Sequence, residues 1–107
     1  MTYYFCPFCG IKRYNIASLK EHIAKKHNLI ALTKDEYKVF RLLTSKFSNK
    51  WFLIEDLVLE SGVNSKIVRS FIARLLYHQV VIKKKFANTY YMYRYTHKPI
   101  KIFVLNY

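Results

Sequence analysis

Residues 3–27 read Y-Y-F-C-P-F-C-G-I-K-R-Y-N-I-A-S-L-K-E-H-I-A-K-K-H. Cys6, Cys9, His22 and His27 stand there as C-x2-C-x12-H-x4-H, and both of the chain's cysteines are used in that pattern. Cys6 and Cys9 fit a knuckle, a tight turn that aims two sulfurs at one point. His22 and His27 lie about one turn apart on a predicted helix, so their rings can reach that point from one face. Two thiolates and two imidazoles at such spacings suit a closed tetrahedral zinc site with one ion per chain. A closed site has no position for water, so the metal would hold structure and carry out no reaction. The rival readings explain less. A Cys-Pro-Phe-Cys redox pair needs a βαβ surround and leaves the histidines unexplained, and a disulfide between these cysteines would close a very small loop. His78 and His97 have no cysteine partners and read as surface residues.

With these ligands the segment resembles a C2H2 zinc finger. Tyr4 stands two residues before the first cysteine and Leu19 three before His22, where such fingers carry an aromatic and a leucine. The ring expected four residues after the second cysteine falls on Arg13, and Tyr14 is the neighbour able to supply it. The expected mini-core is therefore Tyr4, Tyr14, Leu19 and Ile23. The resemblance implies a ββα unit over residues 1–29. It also implies candidate base contacts from Asn15, Ser18 and Glu21, and phosphate contacts from Lys12, Arg13 and Lys20. A brace or a protein-contact surface is the other role open to the finger.

A finger of about 26 residues cannot bury a useful core without its metal. The rest of the 107-residue chain can bury a modest one, and 52% apolar residues with two glycines argue against disorder. No run of about 18 apolar residues and no basic-then-apolar leader is present, and thiols used as ligands fit a reducing compartment, so the expectation is an intracellular protein without a membrane span. Charge is the second strong signal. Lys and Arg number 19 against six acids, a formal +13. The acids end at Glu60, whereas Lys66, Arg69, Arg74, Lys83, Lys84, Lys85, Arg94, Lys98 and Lys101 follow it. A one-sign half of this kind suits a polyanion.

After a short apolar linker, Asn28–Leu32, Thr33 and Glu36 form a capping-box pattern, with Leu32 and Tyr37 as a staple. Tyr37, Phe40, Leu43 and Phe47 then recur at helical spacing, and Ser48-Asn49-Lys50 closes the helix. Trp51–Ile54 reads as a short strand and residues 55–61 as a second helix that stops at Gly62. Asn64 or Ser65 caps a third helix to about His78. Its apolar face is Ile67, Val68, Phe71, Ile72, Leu75 and Leu76; Lys66, Arg69, Ser70, Ala73, Arg74 and Tyr77 fall largely on the other. Residues 80–85 and 90–95 are β-rich and are separated by the predicted turn Phe86–Thr89. Helices, a short strand and a basic hairpin in this order resemble a winged helix-turn-helix, carried by the stretch E-S-G-V-N-S-K-I-V-R-S-F-I-A-R-L (residues 60–75).

The expected fold is therefore α+β: a ββα finger (1–29) packed on a winged helix-turn-helix domain (30–98), with an apolar C-terminal segment (99–107). That segment can add a strand, pack on the finger or pair two chains. The resemblance implies a sequence-specific binder of double-stranded DNA, a transcriptional regulator. Lys66, Arg69, Ser70 and Arg74 would lie in the major groove, with Arg69 the best candidate for a bidentate guanine contact. Lys83, Lys84, Lys85, Asn88 and Thr89 would meet phosphates. A homodimer is expected, paired through Ile100, Ile102, Phe103, Val104 and Leu105 or through the first helix with Leu29, Ile30 and Leu32. The Lys-, Ile- and Tyr-rich style is similar to small regulators of viruses of hyperthermophilic archaea; the compartment would be the host cytoplasm if viral, the nucleus if eukaryotic. Two other classes compete: a protein-interaction module built on the finger and tail, and a single-strand or RNA binder using Tyr90, Tyr91, Tyr93 and Tyr95. No nucleophile–base set, paired carboxylates or phosphate loop marks an enzyme or a small-molecule substrate.

Overall fold

The computed structural model describes residues 3–87 and 89–107. It is a mixed α+β protein with four helices and three two-stranded sheets among the described residues. Two compact units share the chain. Residues 1–33 and 100–107 form the first, and residues 34–99 form the second. The division therefore differs from the expected 1–29, 30–98 and 99–107, because both ends of the helical unit return to the finger.

In the first unit, β1 (Tyr4–Phe5) and β2 (Lys12–Arg13) pair antiparallel and are followed by α1 (Ile16–His27). Asn15 caps α1, its Oδ1 accepting from the Ser18 N–H at 2.7 Å. Lys25, Lys26 and His27 fill the last turn, where the helix dipole favours positive charge. Asn28 then ends α1 in the left-handed region and turns the chain into β3 (Ile30–Leu32). β3 is buried throughout, so the linker is a core strand. Its partner is β6 (Ile102–Val104), which runs parallel to it in the register Ile30–Ile102, Ala31–Phe103, Leu32–Val104. Ile30 N–H donates to Lys101 O at 2.9 Å and Leu105 N–H to Leu32 O at 2.7 Å.

This pairing changes the expected mini-core. Tyr14 is 64% exposed, and its ring packs on Tyr3. The buried cluster is Cys6, Leu19, Ile23, Ala31 and Leu105, flanked by Tyr4, Ile11, Ile16, Leu29 and Phe103. Tyr14 is not needed because β3 and β6 cover the helix face that the missing ring would have covered. The same pairing buries Leu105 of the tail and half-buries Ile102, Phe103 and Val104.

The second unit is built on three helices, α2 (Lys34–Thr44), α3 (Ile54–Ser61) and α4 (Ser65–Tyr77), each packed on the other two. On α2 the buried stripe is Glu36, Val39 and Leu43, continued by Phe47; Tyr37 and Phe40 are half-buried. Asp56 closes the start of α3 by accepting from the Leu53 N–H at 3.0 Å. The α3–α4 turn is fixed locally. Gly62 takes a φ of 69° and donates to Val58 O, Ser61 Oγ accepts from Val63 N–H, and Asn64 caps α4 by accepting from Lys66 N–H. A β-carbon at that φ would be strained, so glycine suits the position. Val68, Phe71, Ile72 and Leu75 of α4 are buried with Leu57, Val39 and Leu43.

β4 (Val81–Ala87) and β5 (Tyr90–Tyr95) form an antiparallel hairpin with a bulge between Lys85 and Ala87. The predicted Trp51–Ile54 strand is reduced to one bridge, Phe52 to Tyr93, with reciprocal hydrogen bonds of 2.8 Å. It ties the hairpin base to the helices, and Phe47, Phe52 and Tyr93 stack behind it. His97 Nε2 lies 2.7 Å from Ser48 O and ties the exit of β5 to the turn that follows α2. Among the described residues no helix is long and apolar enough to cross a membrane.

Deleting residues 100–107 should unfold the first unit selectively. Leu19, Ile23 and Ala31 lose Leu105 and Phe103, while the second unit keeps its own core. Amide resonances of residues 3–33 should collapse to random-coil shifts while those of α2–α4 stay dispersed. Retained dispersion in both sets would mean that β6 is dispensable.

Candidate metal centre and basic surface

The knuckle is made by backbone. Gly10 N–H donates to Cys6 O at 2.8 Å and Cys6 N–H to Ile11 O at 2.9 Å, with Gly10 at a φ of 75°. This closes the turn that carries both sulfurs. α1 packs behind it through Leu19 and Ile23 and brings His22 and His27 to the same place. One donor atom from each of Cys6, Cys9, His22 and His27 lies within 4.8 Å of all the others. Cys9 Sγ is 3.2 Å from His22 Nε2, and Cys6 Sγ is 3.5 Å from His27 Nε2. A tetrahedral zinc at ordinary bond lengths would space its donors by roughly 3.3–3.8 Å. The four residues are thus compatible with one structural metal ion such as zinc, held through both Nε2 atoms.

Burial, aided by the positive charges of Arg13, His27 and Lys26, holds His22 below the usual histidine pKa. That favours the neutral imidazole, the form that ligates metal. Cys6 and His22 are buried whereas Cys9 is exposed. A ring path then leads from the ligands to the C-terminal strand: Phe8 lies 5.0 Å from His27 and 4.8 Å from Phe103, centroid to centroid. Tyr107 stacks edge-on with Tyr4 at 4.9 Å. These contacts link residues far apart in the chain, and nothing in the finger motif announces them.

Of the candidate finger contacts, Asn15 is engaged as a helix cap and Glu21 accepts from Lys25 at 2.7 Å, which keeps the Glu21 carboxyl below its usual pKa. Lys12 sits over the Tyr3 ring at 4.3 Å, and Arg13 Nη1 donates to Lys12 O. Ser18 and Lys20 are half-buried on α1. Arg13, Ser18 and Glu21 line one shallow hollow with His22, Lys25 and Lys26.

On the second unit, Lys66, Arg69, Ser70, Ala73 and Tyr77 are exposed on one side of α4. Arg69 meets Glu55 in a solvent-exposed pair at 3.2 Å. Arg74 behaves differently. It turns inward onto Glu36, with Nη1 to Oε2 at 3.2 Å and side chains 26% and 5% exposed. The capping-box pattern gave no sign that Glu36 is buried on α2 and meets a cation from α4. Lys83, Lys84 and Lys85 are all exposed, as is Thr89; Asn88 lies outside the described residues. Lys83 stands over Tyr91 at 4.7 Å, Lys84 over Trp51 at 4.5 Å and Arg94 over Trp51 at 5.9 Å. Ile30–Leu32 and Ile102–Val104, parts of the two surfaces expected to join chains, pair with each other within one chain.

No protein-family model, curated protein or solved structure matches this chain. The resemblances to a C2H2 finger and a winged helix therefore stand on the residues themselves.

Two outcomes test these assignments. Cys9→Ser, or a strong chelator, should release the metal and disorder the first unit, because binding energy is folding energy in such sites. Hydrogen exchange at the Leu105 amide, bonded to Leu32 O, should accelerate by orders of magnitude while amides of α4 stay protected. Arg74→Met should destabilise the second unit by about 2 kcal/mol in urea unfolding, since Glu36 stays buried. Adding Glu36→Leu should recover most of that loss; no loss in the single variant would contradict a structural role for the pair.

Proposed function

We propose that the second unit is a winged helix that binds double-stranded DNA, with α4 in the major groove and the β4–β5 hairpin as its wing, in a transcriptional regulator. The first unit, with zinc in the Cys6, Cys9, His22 and His27 site, is a metal-held module that carries no reaction. The observation that carries the reading is the separation of charge on the second unit. Its five acids all precede α4, and four have structural work: Glu36 with Arg74, Glu55 with Arg69, Glu60 with Lys46, and Asp56 at the start of α3. Lys66, Lys83, Lys84 and Lys85 have no acidic partner among the described residues. Lys83 and Lys84 lie over aromatic rings instead, which fixes their position without cancelling their charge.

Arg69 is the candidate base reader. Its exposed pair with Glu55 is worth at most about 1 kcal/mol, so exchange for a guanine edge costs little. Arg74 enters the reading as a positioning residue for α4, engaged with Glu36. Pairing of two copies would lengthen the site, through surface other than the apolar side chains that β3 and β6 already share.

Affinity for duplex DNA should fall steeply with salt. Replacing Lys83, Lys84 and Lys85 with Ala should lower the slope of log K against log salt by about 3, and Arg69→Ala should cost about 1–3 kcal/mol and relax base preference. Binding measured by anisotropy over a salt series checks both. Duplex affinity indifferent to salt and to all four substitutions would leave the protein-interaction reading in its place.

A further inference from the structure

The hairpin carries rings that no core claims. Along β5 the tyrosines divide. Tyr93 stacks on Phe52 and Tyr95 on Phe40, both half-buried, whereas Tyr90 and Tyr91 are 59% and 42% exposed. The bulge adds one more. The register passes from Lys85–Tyr91 to Ala87–Tyr90, so Phe86 has no partner across the ribbon and is 63% exposed. Three large rings thus stand in water at the outer end of a ribbon whose other exposed residues include Lys83, Lys84 and Lys85.

Isolated exposed rings are ordinary, but a cluster of them marks a contact surface. The chemistry around them selects the occupant. An apolar protein or lipid partner would strip water from three lysines without supplying opposite charge, which is costly. A nucleic acid supplies phosphates to the lysines and flat apolar faces to the rings at once. Lys83 already lies over Tyr91, and Lys85 is directly across from it, so cation and ring alternate within one short stretch. An intact duplex keeps its bases stacked on each other. Rings at a tip therefore stack at least cost where bases are already unpaired, because entering a duplex means first unstacking a base step.

We propose that Phe86, Tyr90 and Tyr91 stack on unpaired bases at the end of the hairpin, Tyr90 and Tyr91 from opposite faces of the ribbon, so that the protein prefers duplex DNA bordering a single strand over uniform duplex. The inference rests on the duplex-binding reading above and adds a substrate class to it. Base–aromatic stacking tolerates any sequence, because every base has a π-face. The rings would thus select DNA structure, while α4 selects sequence.

The test uses the full, zinc-loaded chain and three labelled probes: a blunt duplex, the same duplex with a short single-stranded overhang at either end, and the single strand alone. A 2-aminopurine in the overhang reports stacking by quenching. Wild type should bind an overhang-bearing duplex about tenfold more tightly than the blunt one and quench the probe. Phe86→Ala/Tyr90→Ala should abolish both effects and leave the blunt duplex bound as before. Phe86→Trp should keep the preference and Phe86→Leu should lose it, which separates ring stacking from bulk apolarity if the double variant folds poorly. Duplex binding without an overhang preference, or a preference that survives loss of the rings, overturns the stacking role alone. Absence of binding to all three probes overturns the stacking role together with the duplex reading.

Discussion

The parallel pairing of β3 with β6 is the contact on which the rest of the first unit depends. A small ββα unit has few positions for apolar side chains, and this one has Arg13 where the C2H2 resemblance expects a ring. The deficit is made up from outside the motif. Ala31 and Leu105 join Leu19 and Ile23, Phe103 packs alongside, and hydrogen bonds at both ends of the ribbon fix the register. With that core in place α1 has one orientation over the knuckle, and His22 and His27 have one place to present their nitrogens.

The helical unit solves a different problem, that of carrying much positive charge without losing its fold. Its 13 Lys and Arg residues face five acids. The acids sit where they stabilise most. Asp35 and Glu36 lie in the first turn of α2, and Glu55 and Asp56 in that of α3, each at the positive end of a helix dipole. Glu36 also pairs with the guanidinium of Arg74, which turns inward. Lys66, Arg69, Lys83, Lys84, Lys85 and Arg94 lie on α4 and the hairpin, with Trp51 and Tyr91 beneath three of them. Stability and display are thereby assigned to different residues, and a substitution in one set should leave the other nearly intact.

Local signals in the sequence were informative and distant ones were not. The ligand spacing is a short-range pattern with one geometric solution, and the structure gathers the same four residues. The buried stripe of α4 and the Ser-Gly-Val-Asn turn were legible because periodicity and caps act over a few residues. Tyr14 was assigned to the core because it stands beside the vacant motif position; the groups that fill that role include Leu105 and Phe103, which no spacing rule connects to the Cys/His segment. Glu36 and Arg74 are 38 positions apart, and an arginine on a helix reads as outward until its partner is known. The extra residue at Phe86 was hidden for a similar reason: a bulge is a property of two strands, and the turn prediction considered only one segment at a time.

Parallel neighbours require a crossover connection, and between β3 and β6 that connection is the entire helical unit, 66 residues from Lys34 to Pro99. Once a metal stabilises the finger, the two ends of this excursion are clipped together even when the helices melt. The denatured helical unit is then a closed loop rather than an open chain. In the chain-entropy picture used for covalent cross-links, closing a loop of that length is worth about 4 kcal/mol. A metal ion could therefore raise the stability of the distant helical unit without touching it, by restricting the disorder available to its unfolded state.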